Sequence, residues 1–570
     1  MRAFLLAFVA LVTSTNAVSQ QQTFTETERL SATGKLWVTV KYFHPYLAYR
    51  DIDWDKALVV SLPRIRKAAS SVEYAASLRS MLDALHDPAT TVSTSAQSHS
   101  SPAVSAISPQ RSWVHDAFHS AFYITTGAPQ TIRLDVGDSV SVLLRLSEPV
   151  STDSSLPSYP TAQPDRAYAD MRYPSAEYRI LTAYKIWGVV HYFFAYRDLM
   201  DEDWDDVLAA SLPKFIAAKD AREYNLAVAE MVAQIGDSHA TVESDELSDY
   251  FGKAPLGLRL SLIEKKPVIT EILDQEAKKA GIAVGDIVIK VDGEDIIPRV
   301  NREAHFISSS TQQWLGYRVM QRVLNGPHGS TAALTIMAAN GSTKEVQLKR
   351  STSYSAALET QRTGDLMGLL PGNIGYVDLD RLTPDQVELM FDKFHEAKAV
   401  ILDMRGQLHL PPAAIASRLT DASDVAAAIV TGSIALTPDV PTDLTLTSTA
   451  SYFTVQRLPV SGKPKYKGKT FMLVDERTIG AAEHLGLLLE AANQTEFIGT
   501  NSAGANGEVA HFVVPGGITI GYSGTDVRHA NGGKLQRLGL EPAVRVPPTL
   551  EGLRAGEDEV LQTAIQEASK

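Results

Sequence analysis

A duplication at a constant offset of 150 residues constrains this chain more than any other feature. Leu36-Trp37-Val-Thr-Val-Lys-Tyr-Phe43 returns as Ile186-Trp187-Gly-Val-Val-His-Tyr-Phe193, Asp51-Ile-Asp-Trp54 as Asp201-Glu-Asp-Trp204, and Ser61-Leu-Pro63 as Ser211-Leu-Pro213. Aromatic and aliphatic residues recur at helical spacing in both copies, so each reads as a small helical unit. The tryptophan after each acidic turn is expected to anchor its helix pair rather than bind a ligand. The copies part at one place. The second ends Gly236-Asp237-Ser238-His239-Ala240-Thr241-Val242, and the first has Pro88-Ala89 where Ser238-His239 stand, between a kept Asp87 and Thr90-Thr91-Val92. That exchange fits one copy relieved of a chemical duty, with drift at a loop end as the open alternative.

Between the copies, Thr131–Val136 and Ser139–Leu146 alternate like strands of a small sheet, and Ser151–Arg166 has a linker composition. His115 and His119 stand four apart, as two metal ligands on a helix would. No third ligand is near, and the strand-like context favours a surface explanation.

The chain begins like an export signal over residues 1–17, with Arg2, an apolar Ala3–Val12 and a small-residue site Thr15-Asn16-Ala17. That run is too short to span a bilayer, and no later segment is apolar enough. The expectation is an exported protein, periplasmic or extracellular, with no stable membrane span. Zero cysteines exclude disulfides, cysteine nucleophiles and zinc–thiolate sites. A net charge of −13, with acids and bases mixed along 570 residues, argues against a nucleic-acid partner, which needs a concentrated basic face. No cofactor or metal is expected. The length accommodates several domains.

The second half changes texture twice. Ala280-Gly-Ile-Ala-Val-Gly-Asp-Ile-Val-Ile-Lys-Val-Asp-Gly293 is a tight turn feeding a buried strand and closed by an Asp-Gly turn. Residues 251–352 resemble a PDZ domain. The resemblance implies that Leu256, Gly257, Leu258, Arg259 and Leu260 accept an extended peptide as an added strand, against a helix over Arg318–Leu324. Spacing or gating the neighbouring domain is the equally weighted alternative. From Pro371 strands and helices alternate: Ile374–Leu379, a helix over Thr383–Glu396 with Val387, Leu389, Met390 and Phe394 inward, Ala399–Met404, Phe471–Val474 and Glu496–Gly499. This is an α/β layered core with its site expected at strand C-termini. At Lys469–His484 a strand turns into a helix beginning near Ile479, a junction that aims free N–H groups at an anion and is a usual seat for a nucleophile.

Residues 166–550 resemble the tail-specific (C-terminal-processing) serine peptidases, most closely their tricorn-like branch. The motifs are Trp204, Asp237-Ser-His-Ala240, the PDZ-like module, Leu402-Asp-Met-Arg-Gly406, Thr478-Ile-Gly-Ala-Ala-Glu-His484, Thr500-Asn-Ser-Ala-Gly-Ala-Asn-Gly507 and Gly539-Leu-Glu-Pro542. The resemblance implies a multidomain α/β protein with a ClpP/crotonase-like layered peptidase core, a PDZ-like β domain and a duplicated N-terminal helical domain. The expected parts are a signal peptide (1–17), a degenerate first helical copy with a small β region (18–165), a second helical copy (166–250), the PDZ-like module (251–352), the core (353–550) and a C-terminal helix (551–570). The implied substrates or partners are peptides and unfolded exported proteins.

The resemblance also assigns a site. Its nucleophilic serine falls three residues before Glu483, where this chain has Gly480. Its lysine base of one branch is missing from 501–509, which leaves the histidine of the other branch, His239, supported by Ser238 and by a glutamate, Glu541. Ala481 and Gly406 supply the implied oxyanion amides, although the family's glycine-rich run is here Gln407-Leu-His-Leu-Pro-Pro412. Without an oxygen or sulfur at residue 480, acyl-enzyme chemistry has no nucleophile. The substitutes are Thr478, Ser502, Ser523, or a water activated by His239. Two readings follow: a serine-type peptidase, and a catalytically inactive relative that binds peptides.

Overall fold

The computed structural model describes residues 24–94, 109–127, 130–150, 157–161, 164–354, 362–439 and 449–570. The expected export signal and much of the linker before Arg166 lie outside them. Both copies fold as three helices at the same offset: Glu26–Phe43, Trp54–Lys67 and Ser71–Leu82, then Ala176–Phe193, Trp204–Ala217 and Ala221–Ala233. The repeated residues do repeated work. Trp54 and Trp204 are buried and donate their indole N–H to the carbonyls of Trp37 and Trp187. Arg29 and Arg179 each fan three bonds onto carbonyls at the end of the second helix and before the first.

The copies pack on each other about a pseudo-twofold. Tyr184 fills the space beside Gly34, where a Cβ would meet its ring at 2.4 Å, and bonds the Leu30 carbonyl at 2.6 Å. Lys35 pairs with Asp205 and, 150 residues on, Lys185 pairs with Asp55. Asp165, from the segment joining the copies, lies between Lys41 and Lys185. Burying these ammoniums is tolerable only with such partners.

The first copy does not stand alone. Strands Gln110–Asp116 and Ala121–Thr126 join a sheet with the core hairpin Ala426–Ala435 and Thr449–Arg457. His115 is therefore on a strand and buried, packed edge-on against Tyr42 and Trp113, and not a surface residue. His119, at φ 62°, turns the hairpin and bonds the His511 carbonyl. Likewise Thr241–Glu243 of the second copy pairs with core strand Ile518–Ser523, so the loop before Thr241 is stitched to the core.

The core is a six-stranded sheet in the order Met367–Leu370, Ile374–Asp378, Ala399–Asp403, Lys469–Val474, Glu496–Gly499, Val544–Arg545, parallel after its first strand. Helices Val387–Phe394, Ala413–Ala416 and Ala481–Asn493 cover one face and Glu559–Ser569 the other, giving three layers. The helix expected over 383–396 is shorter and preceded by a 3-10 turn at Pro384–Gln386; Leu389 faces solvent at 59 % exposure. The expected C-terminal helix is two helices, Leu550–Ala555 packing on the middle domain and Glu559–Ser569 on the sheet.

Candidate active site

The turn after Val474 is built to be rigid. Asp475 is clamped by the Arg477 guanidinium and N–H, and buried Thr478 donates its hydroxyl to the Met404 carbonyl at 2.7 Å. Gly480 then sits at φ 58°, ψ −114°, a conformation that strains any residue with a Cβ, and caps the helix Ala481–Asn493. Beneath it lies Glu483, fully buried, accepting from the Ser502 hydroxyl (2.5 Å) and the N–H groups of Gly504 (2.7 Å), Ala505 (3.0 Å) and Gly480 (3.3 Å). Burial pushes this carboxyl up to about 7 against the pull of those donors. Sequence reasoning uses Glu483 only to count back to Gly480; no local pattern marks it as buried, because the donors around it come from Ser502, Gly504 and Ala505.

His239 arrives from the second helical copy. A Cβ placed on Gly480 would stand 3.1 Å from His239 Nε2, so the structure brings these two residues together. The other ring nitrogen, Nδ1, meets the Ser523 hydroxyl at 3.1 Å. Ser523 in turn donates to Asp237, which also accepts from the backbone N–H groups of Ser523 (2.8 Å) and His239 (3.1 Å) and from the Gln536 amide (3.1 Å). Burial holds His239 below the ordinary histidine value, opposed by Asp237.

Several assignments drawn from the resemblance change. Ser238 does not support His239. Its hydroxyl accepts from the Ser310 N–H and its own N–H donates to the Ser310 hydroxyl, both at 2.9 Å. Ser523, 284 residues away in sequence, takes the place expected of Ser238. Glu541 is exposed and makes no hydrogen bond or ion pair among the described residues, because the chain there buries Leu540 and turns the next side chain outward. Asp237 is the acid behind the histidine.

The Gly406 N–H is committed to the Met404 carbonyl at 2.9 Å, and the Asp380 carboxylate occupies the space beside its Cα. Arg405, gripped by Asp403 and Asp558, fixes that peptide. Of the two expected oxyanion amides, Ala481 alone is the first N–H of a helix, one of the four that no helical carbonyl reaches. None of the reserve hydroxyls is placed at His239 Nε2: Thr478 and Ser502 bond Met404 and Glu483, and Ser523 meets the other ring nitrogen.

The middle domain carries a five-strand path whose last strand, Leu258–Ile263, among the described residues pairs only with Lys266–Ile272 and leaves its other edge without a strand. Of the expected peptide-binding residues, Leu258, Arg259 and Leu260 belong to this edge strand. Leu256 is buried before it, and the Gly257 carbonyl is tied to Leu273 and Asp274. The helix beside the edge is Gln312–Met320, six residues earlier than expected. Between them and the core opens a cleft of about 1210 Å³, lined by Leu262, Trp314, Tyr317, Glu476, Ile479 and Gly406 among others, which leads up to the turn. The segment entering this helix holds both halves of the site. Ser308 and Ser310 accept from the N–H groups of Asp237 and Ser238, while Thr311 and Gln313 bond the carbonyls of Ala503 and Ser502. Among the described residues no group of three or more His, Asp or Glu is placed to hold a metal.

Residues 373–546 match the model of peptidase family S41. No curated protein sequence matches the chain. Among solved structures it is similar to mature CPAF (14 % identity, TM-score 0.53, covering 69 % of this chain and 97 % of that one) and to mature CPAF complexed with lactacystin (13 %, 0.53, 69 % and 98 %). At such identities the likeness concerns the fold.

Proposed function

We propose that this chain, a member of peptidase family S41 through residues 373–546, is an exported peptide-binding protein whose serine-peptidase centre lacks its nucleophile. The observation that carries the reading is the meeting of Gly480 with His239: the base is oriented by Ser523 and Asp237, its Nε2 faces the position of a side chain, and residue 480 has none. The occupied Gly406 amide agrees with it, since one oxyanion donor of the expected pair is withdrawn. The open edge of Leu258–Ile263 beside Gln312–Met320, at the mouth of the large cleft, is the groove in which an extended peptide would add as a strand. No helix among the described residues is long and apolar enough to cross a membrane. Export rests on residues 1–17 and is checked by fractionating cells.

The intact relay on His239 favours a second reading, slow hydrolysis by a water activated at Nε2. The deciding experiment treats the purified chain with a fluorophosphonate probe and with labelled unfolded peptides. Saturable peptide binding, weakened by Leu262→Asp at the half-open groove wall, with neither labelling nor cleavage, is the expected result. Probe labelling of the natural sequence would overturn the nucleophile-free reading, and cleavage without labelling would favour the water route.

A further inference from the structure

The hydrogen-bond directions around His239 define what its free nitrogen accepts. Asp237 is a carboxylate ringed by donors, so the Ser523 hydroxyl gives its proton to Asp237 and offers a lone pair to Nδ1. Nδ1 therefore carries the ring proton of the neutral imidazole, and Nε2 presents a lone pair. No group among the described residues donates to that lone pair. It points at the space above Gly480, where a Cβ would stand 3.1 Å away. The ring is half-buried, and Nε2 stays within reach of a donor from outside. At the same turn, the Ala481 N–H heads its helix and has no helical acceptor.

One atom that donates to Nε2 and accepts from an N–H at the same place is a hydroxyl oxygen, that of water or of a ligand that displaces it. An ammonium cannot accept, and a carboxylate cannot donate unless protonated. The lack of a side chain at residue 480 leaves room for it, and Ala481 is exposed, so the place is reached from solvent. We infer that the space above Gly480, between His239 Nε2 and the Ala481 N–H, is a recognition site for a ligand hydroxyl, taking the serine side chain of a bound peptide where related centres carry their own serine. The inference rests on reading Lys469–His484 as a nucleophile turn without its nucleophile. It narrows the peptides that this protein holds to those presenting a hydroxyl at this point.

The test follows the His239 side-chain resonances, assigned with His239→Gln, while N-acetylserine N-methylamide, N-acetylalanine N-methylamide and ethanol are added to the full chain. The serine amide is expected to shift the His239 ring signals and the alanine amide to leave them in place. A response to ethanol equal to that of the serine amide would mean a site for free alcohols and overturn the peptide assignment. Equal responses to the serine and alanine amides, or none to either, would overturn the hydroxyl site itself. In Gly480→Ser the chain's own hydroxyl fills the space, and the serine-amide shift should vanish. If that variant does not fold, Ser523→Ala serves instead: it releases Nδ1 and should shrink the serine-over-alanine difference. Groove binding is read separately through Leu262→Asp, so either proposal can fail while the other stands.

Discussion

Replacing Gly480 by serine restores the one atom on which the chemistry of this centre turns. The backbone at φ 58°, ψ −114° strains a residue with a Cβ by about 1–3 kcal/mol. The new Cβ lies 3.1 Å from His239 Nε2, so the imidazole must withdraw by a few tenths of an ångström. Gly480→Ser should therefore melt below the natural chain while remaining folded, because Glu483 holds the turn from beneath. In a well-studied serine protease, losing the serine costs about 2 × 10⁶ in kcat. Losing one oxyanion donor costs about 10²–10³. With the Gly406 amide turned onto Met404, the variant should recover about 10³–10⁴ over the natural chain. The assay is turnover of an unfolded peptide substrate together with fluorophosphonate labelling at residue 480. Its acid limb should fall below the ordinary histidine value near 6.5, since His239 must be neutral to act and burial depresses its pKa. A folded Gly480→Ser that is neither labelled nor active would refute the pairing of His239 with this turn.

Other perturbations probe the supports. Glu483 holds its proton up to about 7 in the folded chain but to about 4.5 when unfolded, so stability falls as pH rises between those values, by about 3 kcal/mol in all. The stability of the natural chain relative to Glu483→Gln, measured by urea unfolding, should decline from pH 5 to pH 8; a constant difference would place the titration elsewhere. Ser310→Ala removes the hydroxyl shared by the Ser238 N–H and Gln536. In the Gly480→Ser background it should lower kcat more than it raises KM, because it loosens the loop that aims His239. Asp165→Asn leaves Lys41 without its carboxylate while Lys185 keeps Asp55, and should cost about 1.5–3 kcal/mol, read as a lower denaturant midpoint. Trp204→Ala should cost about 3–5 kcal/mol, and Trp54→Ala a similar amount if the copies are equal partners.

Local pattern and repetition decided much of this protein from sequence alone. The 150-residue repeat predicted two helical units because each carries its own tryptophan anchor and helix periodicity, and these are short-range facts. The strand-turn-helix at Lys469–His484 was legible for the same reason, as was the absent side chain at Gly480. What the tertiary structure decided is everything that depends on which segments meet. Ser523 lies behind His239 because strand Ile518–Ser523 pairs with Thr241–Glu243, a register that no local pattern carries. Asp237 stood in the quoted motif, but its role depends on donors from two distant segments, at Ser523 and Gln536, converging on it. Ser238 is held by Ser310, a neighbour in space only, and Glu541 turns to solvent because the core takes Leu540 beside it. The Gly406 amide was lost to a local bond with Met404 that the flanking ion pairs of Arg405 hold in place. Sequence names the groups able to do chemistry. Whether they face one another is set by long-range pairing, where one hydrogen bond redirects a side chain at a cost of about 1 kcal/mol.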